Sequence, residues 1–332
     1  MTKLAVIGGG AWGTALAALA CKAATDAEET VLWARDKAVV ADINEGRGNP
    51  GYLPDVALPP ALTATADLND AVDGAGLVLL VTPAQALRAV TRRLAPHLAP
   101  NAVLVSCAKG VEQGGLKPMT AVLAEEAPAH PALVLSGPTF AREAALDKPT
   151  AFVVAGADRS IVDKVCARIA LPTFRPYASD DVVGVEMGGA VKNVLAIACG
   201  VVSGRDLGDN AKAALITRGL AETGRLIAAL GGRMETLHGL SGMGDLVLTA
   251  GSLQSRNMSL GYALGQGKSL DQILGSRHTV TEGVWTASAI TEMARKHGVE
   301  MPICSAVNDI VTEGKDIDTV IGGLLSRPLK EE

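Results

Sequence analysis

The sequence has few aromatic residues and no excess of basic residues. Phe, Tyr and Trp occur three times each in 332 residues, so the core must consist mainly of Ala, Val, Leu and Ile. The formal net charge of −5 argues against a surface for nucleic acid or anionic membranes, because both require clustered positive charge. An anionic ligand must therefore be held by a local positive pocket.

Cysteine and histidine are also scarce, and their patterns argue against a disulfide framework and against a metal site. The five cysteines are odd in number, scattered and without a C-x-x-C pair, as expected for free thiols in a reducing cytosol. The five histidines are isolated from one another, and no pair has metal-ligand spacing, so no metal is predicted. The cysteines are Cys21, Cys107, Cys166, Cys199 and Cys304.

We also expect neither a membrane-spanning run nor a leader segment. An apolar strand pattern starts at Lys3, which leaves no room for a secretory signal peptide. Apolar runs such as Val194–Val202 are too short for the ~30 Å hydrocarbon core of a bilayer. With 48% hydrophobic and 20% charged residues, the composition is typical of a globular chain. We expect a cytoplasmic protein without a membrane span, long enough for two domains.

A glycine-rich stretch near the N-terminus predicts a dinucleotide site. Leu4–Ile7 has the pattern of a strand, and Thr14–Ala24 has the pattern of a helix. Between and within them, Gly8, Gly10 and Gly13 fit G-x-G-x-x-G. The first glycine permits the tight turn, the second lets the backbone approach a pyrophosphate, and the third lets helix and strand pack closely. The helix N-terminus offers free N–H groups and partial positive charge to the phosphates.

Apolar runs alternate with helical patterns through the first half of the chain. The runs are apolar throughout, as in parallel strands that helices cover on both faces. This alternation predicts an N-terminal doubly wound Rossmann-type α/β domain with a mostly parallel sheet. The candidate strands are Lys3–Ile7, Thr30–Ala34, Leu77–Val81, Ala102–Ser106, Leu133–Ser136 and Ala151–Ala155. Two of the intervening helical patterns are Gln85–Ala95 and Lys117–Glu126.

Strand signals disappear around Pro176–Asp181, and the rest of the chain predicts helices only. We therefore place a dinucleotide-binding domain at residues 1–181 and an all-α substrate-binding and catalytic domain at residues 182–332. In the second helix, Asp209 or Asn210 suits the N-cap and Gly231 suits the end. The predicted helices are Val182–Ser203, Ala211–Leu230, Gly283–Lys296, Pro302–Thr312 and Thr319–Leu325.

The residues that follow each strand are site candidates, because ligands of doubly wound sheets bind beyond the carboxyl ends of the strands. Pro83 follows the third candidate strand, Lys109 the fourth, and Gly137 and Thr139 the fifth. One interpretation is a site wall at this rim, with Pro83 beside the cofactor. The alternative is ordinary turn chemistry with a solvated lysine.

The dipeptide Arg35-Asp36 follows the second strand, where the adenosine ribose of a dinucleotide binds. An acidic residue there hydrogen-bonds the ribose hydroxyls of NAD, whereas an arginine accommodates the 2′-phosphate of NADP. Side chains alternate along a strand, so one of the two faces the ribose. We favour Arg35, since a planar guanidinium pairs with phosphate and stacks on adenine, and we predict that both cofactors work with NADPH preferred. The alternative is that Arg35 pairs with Asp36 or another surface carboxylate.

Lys192 and Asp245 are the candidates for proton transfer. Lys192 and Asn193 lie inside an otherwise small and apolar helical segment, where polar side chains are unfavourable unless they face a polar cavity. Partial burial lowers the pKa of a lysine and suits it to acid–base catalysis. The alternative is a lysine that extends to solvent at the helix edge. Asp245 follows a glycine-rich turn and either caps a helix or orients a catalytic ammonium group.

The tripeptide Ser255-Arg256-Asn257 is the candidate phosphate site. It precedes a short helical pattern, Met258–Leu264. An arginine, two hydrogen-bonding side chains and free helix N–H groups can bind a phosphate together. Glu282 also opens a helical pattern, where its charge favours the helix dipole.

Together these motifs resemble one family closely, the bacterial NAD(P)-dependent glycerol-3-phosphate dehydrogenases. The resemblance extends from Leu4 to about Leu325, nearly the whole chain, and so many matches in order are specific. The motifs that carry it are Gly8–Ala15, Tyr52–Pro54, Ala108–Glu112, Ser136–Ala141, Gly184–Asn193, Asp209–Leu220, Gly242–Leu246, Ser255–Asn257 and Glu282–Val284.

The resemblance implies an oxidoreductase that interconverts dihydroxyacetone phosphate and sn-glycerol 3-phosphate with NAD(P)H, as a cytoplasmic homodimer, and so supplies the glycerol backbone of phospholipids. It implies that Lys192 is the catalytic acid/base. The implied substrate contacts are Lys109, Gly137, Thr139, Lys192, Asp245, Ser255, Arg256 and Asn257. The implied cofactor contacts are Ala11, Trp12, Arg35, Asp36, Lys109, Ala141, Arg256, Val280 and Glu282.

Two residues depart from the family's pattern. Ala11 stands where the family often has Ser, which removes a hydroxyl contact to phosphate. Asp36 stands where some members have a second basic residue, which weakens the case for a strong NADP preference.

Two other functions fit part of the pattern. A related two-domain dehydrogenase acting on a 3-hydroxy acid or 6-phosphogluconate would also use Lys192, but Asp245 and Arg256 favour a small phosphorylated ketone. A non-catalytic nucleotide-sensing regulator would explain the glycine turn. It gives no reason for these three residues in the helical half.

Overall fold

The computed structural model describes residues 2–275 and 281–328 of the chain, which divides into two compact units. The first comprises Met1–Ala108 and Met119–Val185, and the second comprises Lys109–Pro118 and Glu186–Glu332. The short segment that carries Lys109 therefore belongs with the second unit, although it follows a strand of the first.

Eight strands form one sheet in the first unit. They are β1 (Lys3–Ile7), β2 (Glu29–Trp33), β3 (Thr63–Thr65), β4 (Leu77–Leu80), β5 (Val103–Ser106), β6 (Ala132–Ser136), β7 (Thr150–Ala155) and β8 (Phe174–Ser179). Their order is β3-β2-β1-β4-β5-β6-β7-β8, and only the β6–β7 pair is antiparallel. The strand order reverses at β1, between β2 and β4, where doubly wound sheets bind their ligands. The predicted fold class is confirmed.

Sixteen α-helices are present in the described ranges. In the first unit they are α1 (Ala11–Lys22), α2 (Lys37–Asn44), α3 (Leu68–Val72), α4 (Ala84–Leu94), α5 (Met119–Glu126), α6 (Ala141–Ala145) and α7 (Arg159–Ile169). Helix α8 (Val182–Gly204) leads into the second unit. The others are α9 (Gly208–Ala229), α10 (Met234–Leu237), α11 (Asp245–Ala250), α12 (Arg256–Gly265), α13 (Leu270–Gly275), α14 (Glu282–Lys296), α15 (Pro302–Val311) and α16 (Ile317–Leu325).

Both faces of the sheet are buried, which explains the continuous apolar runs of the central strands. In β1, Leu4 and Val6 belong to the apolar cluster that α1 and α7 complete on one face. Ala5 and Ile7 belong to the cluster that α3, α4 and α5 complete on the other. Successive strand residues point to opposite faces, so helices on both sides require an apolar residue at every position.

The prediction that strand signals end near Pro176 is wrong, because this residue lies within β8, an edge strand of the sheet. Its pattern is polar, with Arg175 and Tyr177 exposed, since one face of this strand is solvated. Proline is tolerated there because an edge strand needs ladder hydrogen bonds on one side only. The opposite edge strand, β3, has three residues and was not predicted either.

Two predicted helix starts are also wrong. Helix α1 begins at Ala11, directly after the glycine turn, and not at Thr14. Helix α9 begins at Gly208 with Leu207 at its N-cap and no side-chain cap, so neither Asp209 nor Asn210 is the cap. Gly231 follows the end of this helix with a φ of 83°, the left-handed conformation typical of helix ends.

Helix α8 has the length and composition of a membrane-spanning helix. It has 23 residues and a mean hydropathy of 1.5 over its most apolar 18-residue window. However, 89% of that window is buried within the protein. The core helix of a soluble protein has these same properties.

Candidate active site

The three glycines of the turn after β1 each meet a distinct steric demand. Gly8 has a φ of 135°, and a Cβ there would lie 2.5 Å from the carbonyl oxygen of Val81. A Cβ at Gly13 would collide with the carbonyl oxygen of Gly8. Nothing lies within 4 Å of the position of a Cβ at Gly10. The turn is therefore tight at its first glycine, packed at its third and open at its second, as a pyrophosphate requires.

The N-terminus of α1 suits the binding of an anion. Gly10 at the N-cap supplies no side-chain hydrogen bond, and the first turn contains no acidic residue. Ala11 and Trp12 are the first two residues of the helix. The indole Nε1 of Trp12 is buried and has no hydrogen-bond partner within residues 2–275 and 281–328. These residues fit the phosphates of a dinucleotide.

Arg35 and Asp36 have different environments. Asp36 is the N-cap of α2, and its Oδ1 accepts a hydrogen bond from the backbone N–H of Ala38 at 2.9 Å. Arg35 is exposed and forms no ion pair within the part of the chain that the structure describes. The alternative in which Arg35 pairs with Asp36 is therefore wrong.

The other predicted residues of the first unit lie in the connections at the carboxyl ends of the strands. Pro83 is the N-cap of α4, and Ala141 is the first residue of α6. Gly137 follows β6, and the hydroxyl of Thr139 donates to its carbonyl oxygen at 3.2 Å. The remaining predicted substrate contacts belong to the second unit.

In the second unit, Asp245 is buried between two lysines. Its Oδ1 accepts a hydrogen bond from Nζ of Lys192 at 2.9 Å, and its Oδ2 accepts one from Nζ of Lys109 at 2.6 Å. Asp245 is 1% exposed and Lys192 is 8% exposed, so this pair is shielded from water. The alternative of a solvent-extended Lys192 is wrong.

The local backbone explains why Asp245 reaches Lys192. The segment Leu240–Gly244, directly before α11, is one π-helical turn, a distortion that is frequent at functional sites. This turn packs on Gly188 of α8, where a Cβ would lie 3.0 Å from the carbonyl oxygen of Ser241. Gly188 is one turn before Lys192 in α8, so its missing side chain lets the two backbones approach closely.

Burial and neighbouring charges shift both pKa values. The pKa of Lys192 is lowered to about 8, first by removal from water and then by the charges of Lys109 and Arg256, against the opposing effect of Asp245. Burial alone would raise the pKa of Asp245, but the two ammonium groups outweigh it and lower the value. Asp245 is therefore ionised at neutral pH, and Lys192 can both give and take a proton there.

The tripeptide Ser255–Asn257, at the start of α12, is linked by hydrogen bonds to the segment that carries Lys109. The Oγ of Ser255 caps the helix by accepting from the backbone N–H of Met258 at 3.2 Å. Arg256 is the first residue of α12, and its side chain is exposed. The amide of Asn257 donates to Oδ1 of Asn193 at 2.8 Å. Asn193 in turn donates to the carbonyl oxygen of Lys109 at 3.0 Å.

Two further predictions concern the start of α14. Desolvation lowers the pKa of Arg256, and the charge of Glu282, the first residue of α14, only partly opposes this decrease. Val280 lies outside the described residues. Within those residues, no group of three or more His, Cys, Asp or Glu side chains could hold a metal ion.

Comparison with known proteins identifies the family. Residues 3–162 match the family described as NAD-dependent glycerol-3-phosphate dehydrogenase N-terminus, and residues 181–322 match its C-terminus counterpart. The chain belongs to the NAD-dependent glycerol-3-phosphate dehydrogenases. The resemblance inferred from the sequence motifs is thus confirmed, and the chain is an oxidoreductase that uses NAD(P).

Individual relatives cover almost the whole chain. A Rhodospirillum rubrum protein named glycerol-3-phosphate dehydrogenase (NAD(P)+) is 56% identical over 329 residues, which cover 99% of this chain and 93% of that protein. A protein of the same name from Parvibaculum lavamentivorans is 52% identical over 330 residues, with coverages of 99% and 98%. The crystal structure of glycerol-3-phosphate dehydrogenase from Coxiella burnetii is similar with a TM-score of 0.93 and 37% identity, covering 98% of this chain and 99% of that one.

Two residues of the dehydrogenase's buried network, Thr249 and Asn193, have roles that were not predicted from the sequence. The hydroxyl of Thr249 accepts from Nζ of Lys192 at 2.8 Å and donates to Oδ1 of Asp245 at 3.3 Å. Its spacing of four residues from Asp245 on one helix is a signal that could have found it. Asn193 was noted as an unusual polar residue, but its bond to Lys109 depends on tertiary structure.

Proposed function

We propose that this dehydrogenase interconverts dihydroxyacetone phosphate and sn-glycerol 3-phosphate and supplies the latter for phospholipid synthesis. The observation that carries the proposal is the buried Lys192–Asp245–Lys109 cluster. A lysine with a pKa of about 8, held by a carboxylate, suits proton transfer to and from a hydroxyl group near neutral pH. Membership of the family supports the same reaction.

Side chains of the protein donate and accept the proton of the reaction. In reduction, Nζ of Lys192 donates a hydrogen bond to the carbonyl oxygen and then transfers its proton to that oxygen as negative charge develops. In oxidation, neutral Lys192 takes the proton from the hydroxyl group. Asp245 and Thr249 hold Nζ in place, and Lys109 adds positive charge at the oxygen. The nicotinamide, when bound, supplies or accepts the hydride.

Arg256 binds the phosphate group of the substrate. It lies at the N-terminus of α12, where the helix dipole favours an anion, beside Ser255 and Asn257. Binding energy from this non-reacting phosphate positions the carbonyl group. Gly137 and Thr139 are further substrate contacts in this proposal.

The glycine turn and the start of α1 bind the pyrophosphate of the dinucleotide, and Arg35 lies at its adenosine ribose. Because Asp36 caps α2, Arg35 is the residue available to the 2′-phosphate of NADPH, which is therefore the preferred cofactor. We assign the remaining cofactor contacts to Pro83, Lys109, Ala141, Arg256, Val280 and Glu282. We also propose a cytoplasmic homodimer that neither spans a membrane nor binds nucleic acid.

A spectrophotometric assay tests the reaction. Purified protein should consume NADPH, and NADH more slowly, when dihydroxyacetone phosphate is added, and should reduce NADP+ with sn-glycerol 3-phosphate. It should leave 6-phosphogluconate and 3-hydroxybutyrate unoxidised. Turnover of either of these in place of sn-glycerol 3-phosphate would reject the proposed substrate.

A further inference from the structure

Asn49 connects the glycine turn to helix α1 through its side-chain amide. Its Nδ2 donates to the carbonyl oxygen of Gly9 at 3.0 Å and to Oγ1 of Thr14 at 2.8 Å. The residue is 1% exposed, and its Oδ1 has no hydrogen-bond partner within residues 2–275 and 281–328. Burial of an amide with an unpaired oxygen is unfavourable. The two hydrogen bonds to the glycine turn and to α1 are therefore the side-chain interactions that offset this cost.

The bond to Gly9 fixes the orientation of the peptide group between Gly9 and Gly10. In a planar trans peptide the C=O and N–H bonds point in opposite directions. Because the Gly9 carbonyl points to Asn49, the Gly10 N–H points away from it. Gly10 is the glycine at which the turn is open, with nothing within 4 Å of the position of a Cβ. Its N–H is thus directed by a side chain that is itself remote in sequence.

The segment that carries Asn49 is held firmly against α1. The backbone N–H groups of Tyr52 and Leu53 donate to the carbonyl oxygen of Asn49 at 3.2 and 2.8 Å. Leu53 and Val56 form an apolar cluster with residues of α1 and α6, against which Trp12 also packs. The Tyr52–Pro54 motif, to which sequence analysis gave no function, therefore helps to place the Asn49 amide.

We propose that Asn49 is a positioning residue for the dinucleotide. It holds the Gly9–Gly10 peptide in the orientation in which the Gly10 N–H binds the cofactor's pyrophosphate. Asn49 acts through the turn and touches no cofactor atom in this role. The inference relies on the pyrophosphate site of the proposed function, but not on the identity of the substrate.

Equilibrium binding to Asn49→Ala separates this role from general loosening. The probes are NADPH and ADP, which contain a pyrophosphate, and 2′-AMP, which does not. We expect Kd for NADPH and ADP to rise about 5- to 20-fold, as for loss of one buried hydrogen bond. Kd for 2′-AMP should change less than about twofold, since it lacks the group that the Gly10 N–H binds. In steady-state assays KM for NADPH should rise while kcat stays near the wild-type value.

Asn44 supplies a matched control in the same unit. Its Nδ2 donates to the carbonyl oxygen of Ala64 at 2.9 Å, and its Oδ1 accepts from the N–H of Ala64 at 2.8 Å. Asn44→Ala therefore removes an asparagine with two backbone bonds while leaving the glycine turn intact. Asn49→Asp keeps the side-chain volume but removes both donors, so it should reproduce the loss seen in Asn49→Ala.

Several results would overturn the proposal. These are an unchanged Kd for NADPH in both Asn49 variants, an equal loss for 2′-AMP, or an equal loss in Asn44→Ala. Failure of both Asn49 variants to fold would also contradict it, because Asn49 would then determine the fold and not the binding. Since binding is measured without dihydroxyacetone phosphate, a wrong substrate assignment leaves these results interpretable.

Discussion

Lys192 occupies a position where a charged side chain is tolerated only because Asp245 and Thr249 hydrogen-bond it. Removal of the ammonium group should therefore abolish catalysis and leave the cofactor site of the first unit unchanged. We expect Lys192→Met to lower kcat by at least ~10²–10⁴-fold, the usual contribution of general acid–base catalysis. Kd for NADPH, measured by fluorescence titration, should stay near the wild-type value.

The control for this experiment is Lys268→Met, which removes an exposed lysine of the same unit. It should leave kcat unchanged. Near wild-type kcat in Lys192→Met would show that Lys192 has a structural role only.

Arg256 should discriminate substrates with a phosphate from those without one. A charge-assisted hydrogen bond contributes roughly 1.5–3 kcal/mol, which corresponds to about 10- to 150-fold in kcat/KM. We expect Arg256→Ala to cause a loss of this size with dihydroxyacetone phosphate and a much smaller one with dihydroxyacetone. Measuring kcat/KM for both substrates in both proteins decides the question, and equal losses would exclude a phosphate contact.

Arg35 should set the choice between the two cofactors. We expect Arg35→Ala to raise KM for NADPH at least about tenfold, since a charge-assisted bond contributes roughly 1.5 kcal/mol at the lower end of its range. KM for NADH should change little, because NADH has no 2′-phosphate. Lys164→Ala, which removes an exposed basic residue of the same unit, should change neither value. An unchanged NADPH/NADH ratio in Arg35→Ala would leave Arg35 without a part in the choice.

At the residue scale, the sequence predicted the site where a residue type conflicts with its surroundings. A lysine in a run of Gly, Ala and Val, as at Lys192, is such a conflict. Thr249 and Asn49 could not be found in this way, because Thr and Asn are ordinary in their segments. Their importance depends on distant partners, Lys192 for one and the Gly9 carbonyl for the other.

At the element scale, a buried glutamate of one helix caps the N-terminus of another helix of the second unit. Glu222 of α9 is 2% exposed, and it accepts hydrogen bonds from the backbone N–H groups of Ile303 and Cys304, in the first turn of α15. Burial raises the pKa of Glu222 to about 7, although those N–H groups and the charges of Arg225 and Arg327 oppose the increase. The protonated form is therefore the one that folding favours.

This shift predicts that stability depends on pH. The pKa of a glutamate is about 4.3 in an unfolded chain. The contribution of Glu222 to the free energy of unfolding is therefore fully present below about pH 4.3 and is lost as pH rises through about 7. We expect the free energy of unfolding to fall by of order 3 kcal/mol across this range, since each pKa unit corresponds to about 1.4 kcal/mol. Urea unfolding of wild type and Glu222→Gln at pH 5 and pH 8 tests this. The variant should lose that part of the pH dependence, and identical pH dependence in both proteins would contradict the assignment.

The elements that the sequence predicted best are those with a single environment along their length. Strand β1 and helix α8 are buried along almost their whole length, so their apolar patterns are clear. Strand β8 has one face in solvent and contains Pro176, so its pattern is that of a loop. Its position depends on parallel pairing with β7, in which Thr150 lies opposite Phe174 and Ala155 lies opposite Ser179. Sequence periodicity cannot reveal such pairing.

At the scale of the whole molecule, the apolar residues build separate cores within the two units. The two sheet faces of the first unit each have their own apolar cluster. In the second unit, α8 supplies apolar residues that are almost all buried, among them Val194, Leu195 and Ile197. Such cores need few aromatic residues, because Ala and Gly let helices and backbones approach closely and leave little space for large side chains.

The cysteines give a test of this whole-molecule description. All five are free thiols; Cys107, Cys199 and Cys304 are buried, while Cys21 and Cys166 are half-buried with pKa values raised by desolvation. We expect no fast reaction of the native protein with a thiol reagent at neutral pH, because protonated and buried thiols are poor nucleophiles. In denaturant, five equivalents should react, with or without prior reduction. Fewer than five without reductant would reveal a disulfide, and fast labelling of Cys199 in the native protein would show that α8 is not buried.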